Sequence, residues 1–427
     1  MQHQLHETVT KTRTILRQQQ LSTILEQFDG HLMHLTKEQR AAKYAKMAES
    51  AFRFYRGSAF LYYYDTTSIP SPFHTPDDRP TWIMGDMHID NFGAFQNEQG
   101  QIVFDVNDFD EGYVGSYLFD ILRMAVSIAL YFDENDYDET VYTEAIQEFL
   151  YAYVHQLKRF QSKKDDPTTF LFTKGNTKGP IRRLLKKLEK RQATEFLEDI
   201  TERDENGILQ FAWSDEIHPV EGELFDNIAA NFPSYTVKDI AVKHGSGTAS
   251  IGLERYYILA KGGSDTPIVL EMKEVRTAIP AYFFPYNETF WEKYEHQGAR
   301  VIETQKAMHH LQDPHLAYVT MDGVQYYVRE RSPFKKKVKP KHYRSVEEIM
   351  TTVHIMGQVA AKIHARADSD TSDIFDYHSE DVILNEINKN SAIFVEKTTL
   401  QALAYVNIVK RDYGLFVEYV EQFCEDL

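Results

Sequence analysis

The sequence is almost without cysteine: Cys424 is the single one in 427 residues. A lone thiol closes no intramolecular disulfide and builds no cysteine-rich zinc site, so nothing marks an oxidising compartment. An apolar signal core is also missing, since the chain opens on Met1-Gln2-His3-Gln4. Long hydrophobic runs are absent. The most apolar stretch, Tyr117 to Phe132, is broken by Asp120 and Arg123 and falls short of the ~20 residues a bilayer requires. There is no internal repeat and no low-complexity tract. Positive charge is in deficit, with 47 Lys and Arg against 64 Asp and Glu, a net charge of −17. Such a chain is a poor general binder of nucleic acid or anionic membranes. The expectation is a cytoplasmic protein with no membrane partner.

Core material is plentiful. Hydrophobic residues make up 42% and aromatics 13%, which rules out wholesale disorder. At ~150 residues per domain, the length predicts two or three units or one large bipartite unit. Residues 1–56 read as a helical segment, with a Thr36/Gln39 capping box ahead of Tyr44, Met47, Ala51 and Phe54. Residues 57–235 hold a proline-rich loop from Ile69 to Pro80 and short strands from Thr81 to Asp108. A helix opened by Gly115-Ser116, another over 139–160 and a basic amphipathic one from Lys178 to Arg191 follow. Residues 236–335 are strand-rich, with a hairpin around Gly262-Gly263 and a helix from Asn287 to Leu311. Residues 336–427 return to helical patterning.

Chemistry concentrates in two places. The strand Thr81 to Met84 runs into Gly85-Asp86-Met87-His88-Ile89-Asp90-Asn91, and a hairpin then leads to Asn107-Asp108-Phe109-Asp110. A turn centred between Gln99 and Gly100 sets Asn91 opposite Asp108. An amide oxygen beside a carboxylate suits Mg²⁺. Asp86, on the same loop, can orient a hydroxyl and accept its proton during phosphoryl transfer. Asp, four residues, Asn, hairpin, Asp is the order of a kinase catalytic loop. The plain alternative is that Asp86 caps a turn and Asp108 a helix. A two-metal phosphoesterase would use Gly85-Asp86-Met87-His88 too, but it needs a downstream Gly-Asn-His cluster that the chain lacks. His88 reads as a residue that holds the loop by hydrogen bonds.

The second place is the glycine loop His244 to Gly252, followed two strands on by Lys273. Backbone amides around Gly247, Ser250 and Gly252 can approach phosphate oxygens, and a strand lysine can reach the same phosphates. That lysine needs a carboxylate to hold it. Glu303 is the first candidate, with Glu288, Glu292 and Glu295 competing. The plain alternatives are a tight hairpin and a surface lysine. Kinases place loop and lysine before the catalytic loop, whereas here they come after it. The order is either coincidence or circular permutation, which surface termini permit.

These motifs resemble the aminoglycoside phosphotransferase pattern, with Asp120 at that group's buried aspartate. More closely, the chain resembles a bacterial family, domain of unknown function 2252. The matching segments are Phe52 to Gly57, Asp86 to Asn91, Asn107 to Gly112, Gly247 to Gly252, Leu270 to Glu274, Tyr327 to Arg329 and Ala360 to Ala367. The resemblance implies an α+β, two-lobed, protein-kinase-like fold with permuted motif order. It implies a helical lobe with Asp86, Asn91 and Asp108 and a sheet lobe with Gly247, Gly252, Lys273 and Glu303. The activity expected is ATP- and Mg²⁺-dependent phosphoryl transfer to a hydroxyl of a small molecule or protein. A nucleotide-binding pseudokinase and an AMP-transferring enzyme are the alternatives. Ala249 stands where the family has a glycine, which implies weakened nucleotide binding or a displaced loop.

Other features stay open. Lys335 to Lys341 holds five lysines in seven residues and reads as a solvated loop or as a docking site for an anion. Arg56 reads as an ion-pair or a phosphate-binding residue, and His364 as a satisfied core histidine.

Overall fold

A computed structural model describes residues 2–191, 193–244, 251–262, 267–311, 313–332, 334–387 and 390–425. The fold mixes helix and sheet. Its helical body is built around the helix Tyr117–Asp133, in which every residue from Tyr117 to Phe132 is buried. A helix apolar on all sides belongs at the centre of a bundle. It packs against Glu139–Gln161 and Ser391–Glu425, and Glu139–Gln161 in turn against Val346–Arg366. That last crossing is close. A Cβ on Gly357 would lie 2.3 Å from the Phe149 carbonyl oxygen, so only glycine fits there. Each fully buried Ile146, Phe149 or Leu150 contributes about 1.5–3 kcal/mol of transfer free energy. None of the described helices is long and apolar enough to cross a membrane.

The largest sheet among the described residues has six antiparallel strands. Their spatial order is Ala317–Met321, Val324–Glu330, Ile268–Glu274, Arg255–Lys261, Thr236–Lys243 and Ile217–Pro219. The hairpin expected around Gly262-Gly263 is there, although Gly263 lies outside the described residues. Leu270 and Met272 pack with Ile240, Tyr256 and Ile258 on one face, whereas Val269 packs with Tyr257 and Leu259 on the other. The strand period of two therefore puts Glu271 and Lys273 on the Val269 face.

Two expectations need correction. The helix anticipated from Asn287 to Leu311 is two helices, Glu288–Lys293 and Gln297–Met308. His296 ends the continuity, because its Nδ1 accepts from the amides of Gly298 and Ala299 and caps the second helix. The hairpin after Asn91 is also one residue out of the anticipated register. Phe92 pairs with Val106 and Gln96 with Ile102, and the Asn107 amide donates to the Asn91 carbonyl. The cause is the turn: Asn97 pairs with Gln101, and Gly100 takes φ +76°, giving a three-residue loop.

The Thr36 capping box forms as read, with Gln39 N to Thr36 Oγ1 at 3.2 Å and Thr36 N to Gln39 Oε1 at 3.0 Å. Ahead of it, the helix Gln2–Leu25 passes into π-helical turns over Glu26–Leu32.

Candidate functional site

Between the helical body and the sheet lies a cleft of about 1000 Å³, open to solvent. Asp86, Asn91, Asp108 and Asp110 line one side, and Lys273 to Thr277 line the other. Asp29, Met33, Leu35 and Lys43 of the N-terminal segment close one end.

The Asp86 loop is fixed from beneath. Fully buried Asp120 accepts from the amides of Met84 at 2.6 Å and Gly85 at 3.0 Å. Tyr63 Oη donates to the Gly85 carbonyl, and the Ile89 amide donates to Ser127 Oγ. Gly85 has φ +78°, and a Cβ there would sit 2.0 Å from the Glu111 carbonyl oxygen. His364, within 3.3 Å of Asp120 and 2.9 Å of Tyr153 Oη, is the buried, partnered core histidine expected.

The Asp86 carboxylate meets Arg123 at 2.5 Å. Arg123 is wholly buried, beneath the rings of Tyr55 and Tyr62 at 4.5 and 5.1 Å. Burial raises the Asp86 carboxyl above its ordinary range, with Arg123 pulling against that shift. His88 is held well below its ordinary value, first by burial and then by Arg56, so it is neutral. It therefore accepts from Arg56 Nε at 3.3 Å and makes no ion pair with Asp86, 3.8 Å away. This is the loop-holding role anticipated for His88.

Asn91 Nδ2 donates to the Asp86 carbonyl, which leaves Oδ1 as the atom available to a cation. Asp108 is exposed and makes no hydrogen bond or ion pair among the described residues. An uncommitted carboxylate and an amide oxygen on one cleft wall fit a Mg²⁺ ion, so Asn91 and Asp108 are the residues that would hold it.

Lys273 does not pair with Glu303. It bonds Asp110, three residues before Tyr113. Burial pushes the Asp110 carboxyl up, but Lys273 and Arg329 outweigh it and hold the group below its ordinary value. Glu303 instead pairs with Lys306 at 2.7 Å and lines a separate depression with Trp82 and Tyr294. Helical phase explains this. Glu303 shares a part-exposed stripe with Ala299 and Lys306, four residues before and three after it, whereas Arg300 is fully buried and donates to the carbonyls of Gly112 and Arg276. The helix thus presents a cation to the interior and its glutamate outward. Glu288, Glu292 and Glu295 are exposed.

Gly247, Ser250 and Ala249 lie outside the described residues. Gly252 is placed with φ +81°, its carbonyl accepting from Arg276 Nη2 at 3.1 Å and its Cα against Leu35. Arg276 Nη1 also donates to the Met33 carbonyl, which ties the sheet to the N-terminal segment.

Sequence reasoning missed several groups. Asp29 is fully buried beside Lys43, with Nζ to Oδ1 at 2.6 Å, while its Oδ2 has no partner. Nothing local distinguishes it, although a π-helical stretch is frequent at functional sites. Arg123 had a signal: a charge inside an apolar helix must meet a buried acid.

Residues 35–419 match a family described as an uncharacterised protein conserved in bacteria, domain of unknown function 2252. The chain belongs to that family. No protein with a curated description and no solved structure matches it. The match includes Lys43 and every cleft residue after it, but begins beyond Asp29.

Proposed function

We propose that the protein is an ATP- and Mg²⁺-dependent phosphotransferase of two-lobed, kinase-like build with permuted motif order, acting on a hydroxyl of a small molecule or a protein. The observation that carries this reading is convergence: Asp86, Asn91 and Asp108 share one cleft with Lys273 from a strand far along the chain. The local order around the lysine supports it. Lys273 lies on the third of three meander strands, and a helix follows, as in the kinase lysine strand.

In this reading Asn91 and Asp108 would hold Mg²⁺, which supplies charge neutralisation for phosphate oxygens. Asp86 orients the acceptor hydroxyl and takes its proton. A carboxyl raised by burial is better matched to that task than an ordinary one. Lys273 contacts the phosphates, with Asp110 in place of a helix glutamate as its anchor.

A specific observation also favours the nucleotide-binding regulator: Lys273 is already neutralised by a carboxylate of the cleft itself. Intact-mass analysis after incubation with Mg-ATP, beside calorimetric titration of Mg-ATP, separates the readings. A phosphoryl gain supports the phosphotransferase and an AMP gain the nucleotidyl transferase. Binding without mass change or ATP turnover supports the regulator, and no binding overturns all three.

A further inference from the structure

We propose that the groove beside Asp108 binds the phosphate or carboxylate group of a second ligand; on the phosphotransferase reading, which this rests on, that ligand is the acceptor. The groove, about 970 Å³, opens past Asn91 and Asp108, and its other wall carries Arg331, Lys335, Lys336 and Lys337. A neighbouring depression shares Asp108, Arg56 and Lys337 with it and reaches Asp86. An anchored anion would thus stand next to the group assigned to the hydroxyl.

The lysine run is not a solvated loop. Phe334 and Val338 are buried in the core of the helical body. Between them the backbone of Lys336 pairs with Ala94, with Ala94 N to Lys336 O at 2.7 Å and Lys336 N to Ala94 O at 2.9 Å. The run is therefore pinned to the hairpin that carries Asn91 and Asp108. Lys335 and Lys337 are held half-buried at the groove by backbone geometry, whereas Lys336, Lys339 and Lys341 are exposed.

Charge matching then leaves an excess of cations. Arg56 and Lys337 share one carboxylate, Asp90, each at 2.8 Å. Glu271, almost fully buried, is already engaged by Arg255 at 3.1 Å and Arg329 at 2.9 Å. Arg331 and Lys335 also face Glu271 electrostatically, and Asp108 faces Arg329 and Lys335, so four cations look toward two acids. Neither Arg331 nor Lys335 has an ion-pair partner among the described residues; Arg331 lies over the Tyr257 ring at 5.8 Å. Burial, with Arg329 next, lowers Lys335 to about 7, and a bound anion would relieve that strain on its charge. A planar guanidinium and a point-like ammonium side by side suit phosphate or carboxylate oxygens. In a chain of net charge −17, local excess of this kind is a binding feature rather than background.

The triphosphate of the nucleotide offers the same chemistry, so the test must separate the two sources. Inorganic phosphate is titrated into the full-length protein with and without saturating Mg-ATP, in wild type, R331Q/K335Q and K335R. Phosphate should bind wild type in both conditions. R331Q/K335Q should weaken phosphate by ~10-fold or more, the loss of charge-assisted bonds, with Mg-ATP affinity within about threefold. K335R should retain phosphate, and equal melting temperatures show that the variants are folded. The proposal is overturned if wild type binds no phosphate, if Mg-ATP displaces phosphate competitively, or if R331Q/K335Q leaves phosphate unchanged. It is overturned in favour of the nucleotide tail if R331Q/K335Q weakens Mg-ATP as much as phosphate. Wild type that binds phosphate but no Mg-ATP upholds the anion site and removes the phosphotransferase reading alone.

Discussion

Arg123 grips the Asp86 carboxylate from beneath the cleft floor, 2.5 Å away, from the same buried helix that carries Asp120. The pair couples the bundle core to the loop that would do chemistry. Removing one partner of a buried pair strands the other, at about 3–5 kcal/mol. Arg123→Met should lower stability on that scale, whereas Arg123→Lys should recover part of it. Chemical denaturation measures both, and an unchanged midpoint for Arg123→Met would show that Asp86 is solvated.

Asp86 and Asp108 should fail differently. Asp86→Asn keeps the shape but removes the proton acceptor, so transfer should fall by ~10²-fold or more while Mg-ATP affinity stays within a few-fold. Asp108→Asn should lose Mg²⁺-dependent nucleotide binding itself. Calorimetry with Mg-ATP, run beside a turnover assay, checks the pair. Because burial raises the Asp86 carboxyl, the acid limb of the rate profile should lie above the ordinary carboxylate range.

Lys273 and Glu303 should be uncoupled. Glu303 pairs with Lys306 at the surface of another depression, so Glu303→Gln should leave melting temperature and nucleotide affinity unchanged. Asp110→Asn should destabilise the protein by about 3 kcal/mol, since it leaves the buried Lys273 ammonium without its partner. A Glu303→Gln variant that loses nucleotide affinity would mean that the helix Gln297–Met308 turns when nucleotide binds.

Stability should fall with acidification through the histidines. Burial lowers His309 to about 4 from an ordinary 6.5, with Asp105 opposing and Lys362 reinforcing the shift. A group depressed in the fold contributes stability that is full above its unfolded pKa and is lost as pH falls through the folded one. The window is pH 6.5 down to about 4, and the contribution of His309 is at most about 3 kcal/mol. His88, also depressed, acts in the same direction. Denaturation midpoints across that window, in wild type and His309→Gln, give the test; equal slopes would remove the assignment.

Gly85→Ala should be severe, because the substitution combines φ +78° with a Cβ 2.0 Å from the Glu111 carbonyl oxygen. Backbone strain of this kind costs about 1–3 kcal/mol before the clash is counted. Thermal melting shows the effect; a loss within error would mean that the loop shifts freely, against the anchoring by Asp120.

By itself the sequence determined what short-range chemistry dictates. The Thr36/Gln39 box, the helix opened by Ser116, the strand bearing Lys273 and the loop from Asp86 to Asn91 follow from period, caps and turn residues, and all form. The residue types that line the cleft, Asp86, Asn91, Asp108 and Lys273, were visible in the same way. Tertiary structure alone decided which partners those residues meet. A single glycine at φ +76° moved the hairpin register by one, and a histidine cap split one helix into two. The phase of the second helix turned Arg300 inward and Glu303 outward, leaving Lys273 to Asp110. The same packing pinned the lysine run beside Asp108 and set Asp29 into the cleft wall. Ion-pair choice depends on the rotation and approach of elements far apart in the chain, and no local pattern encodes those quantities.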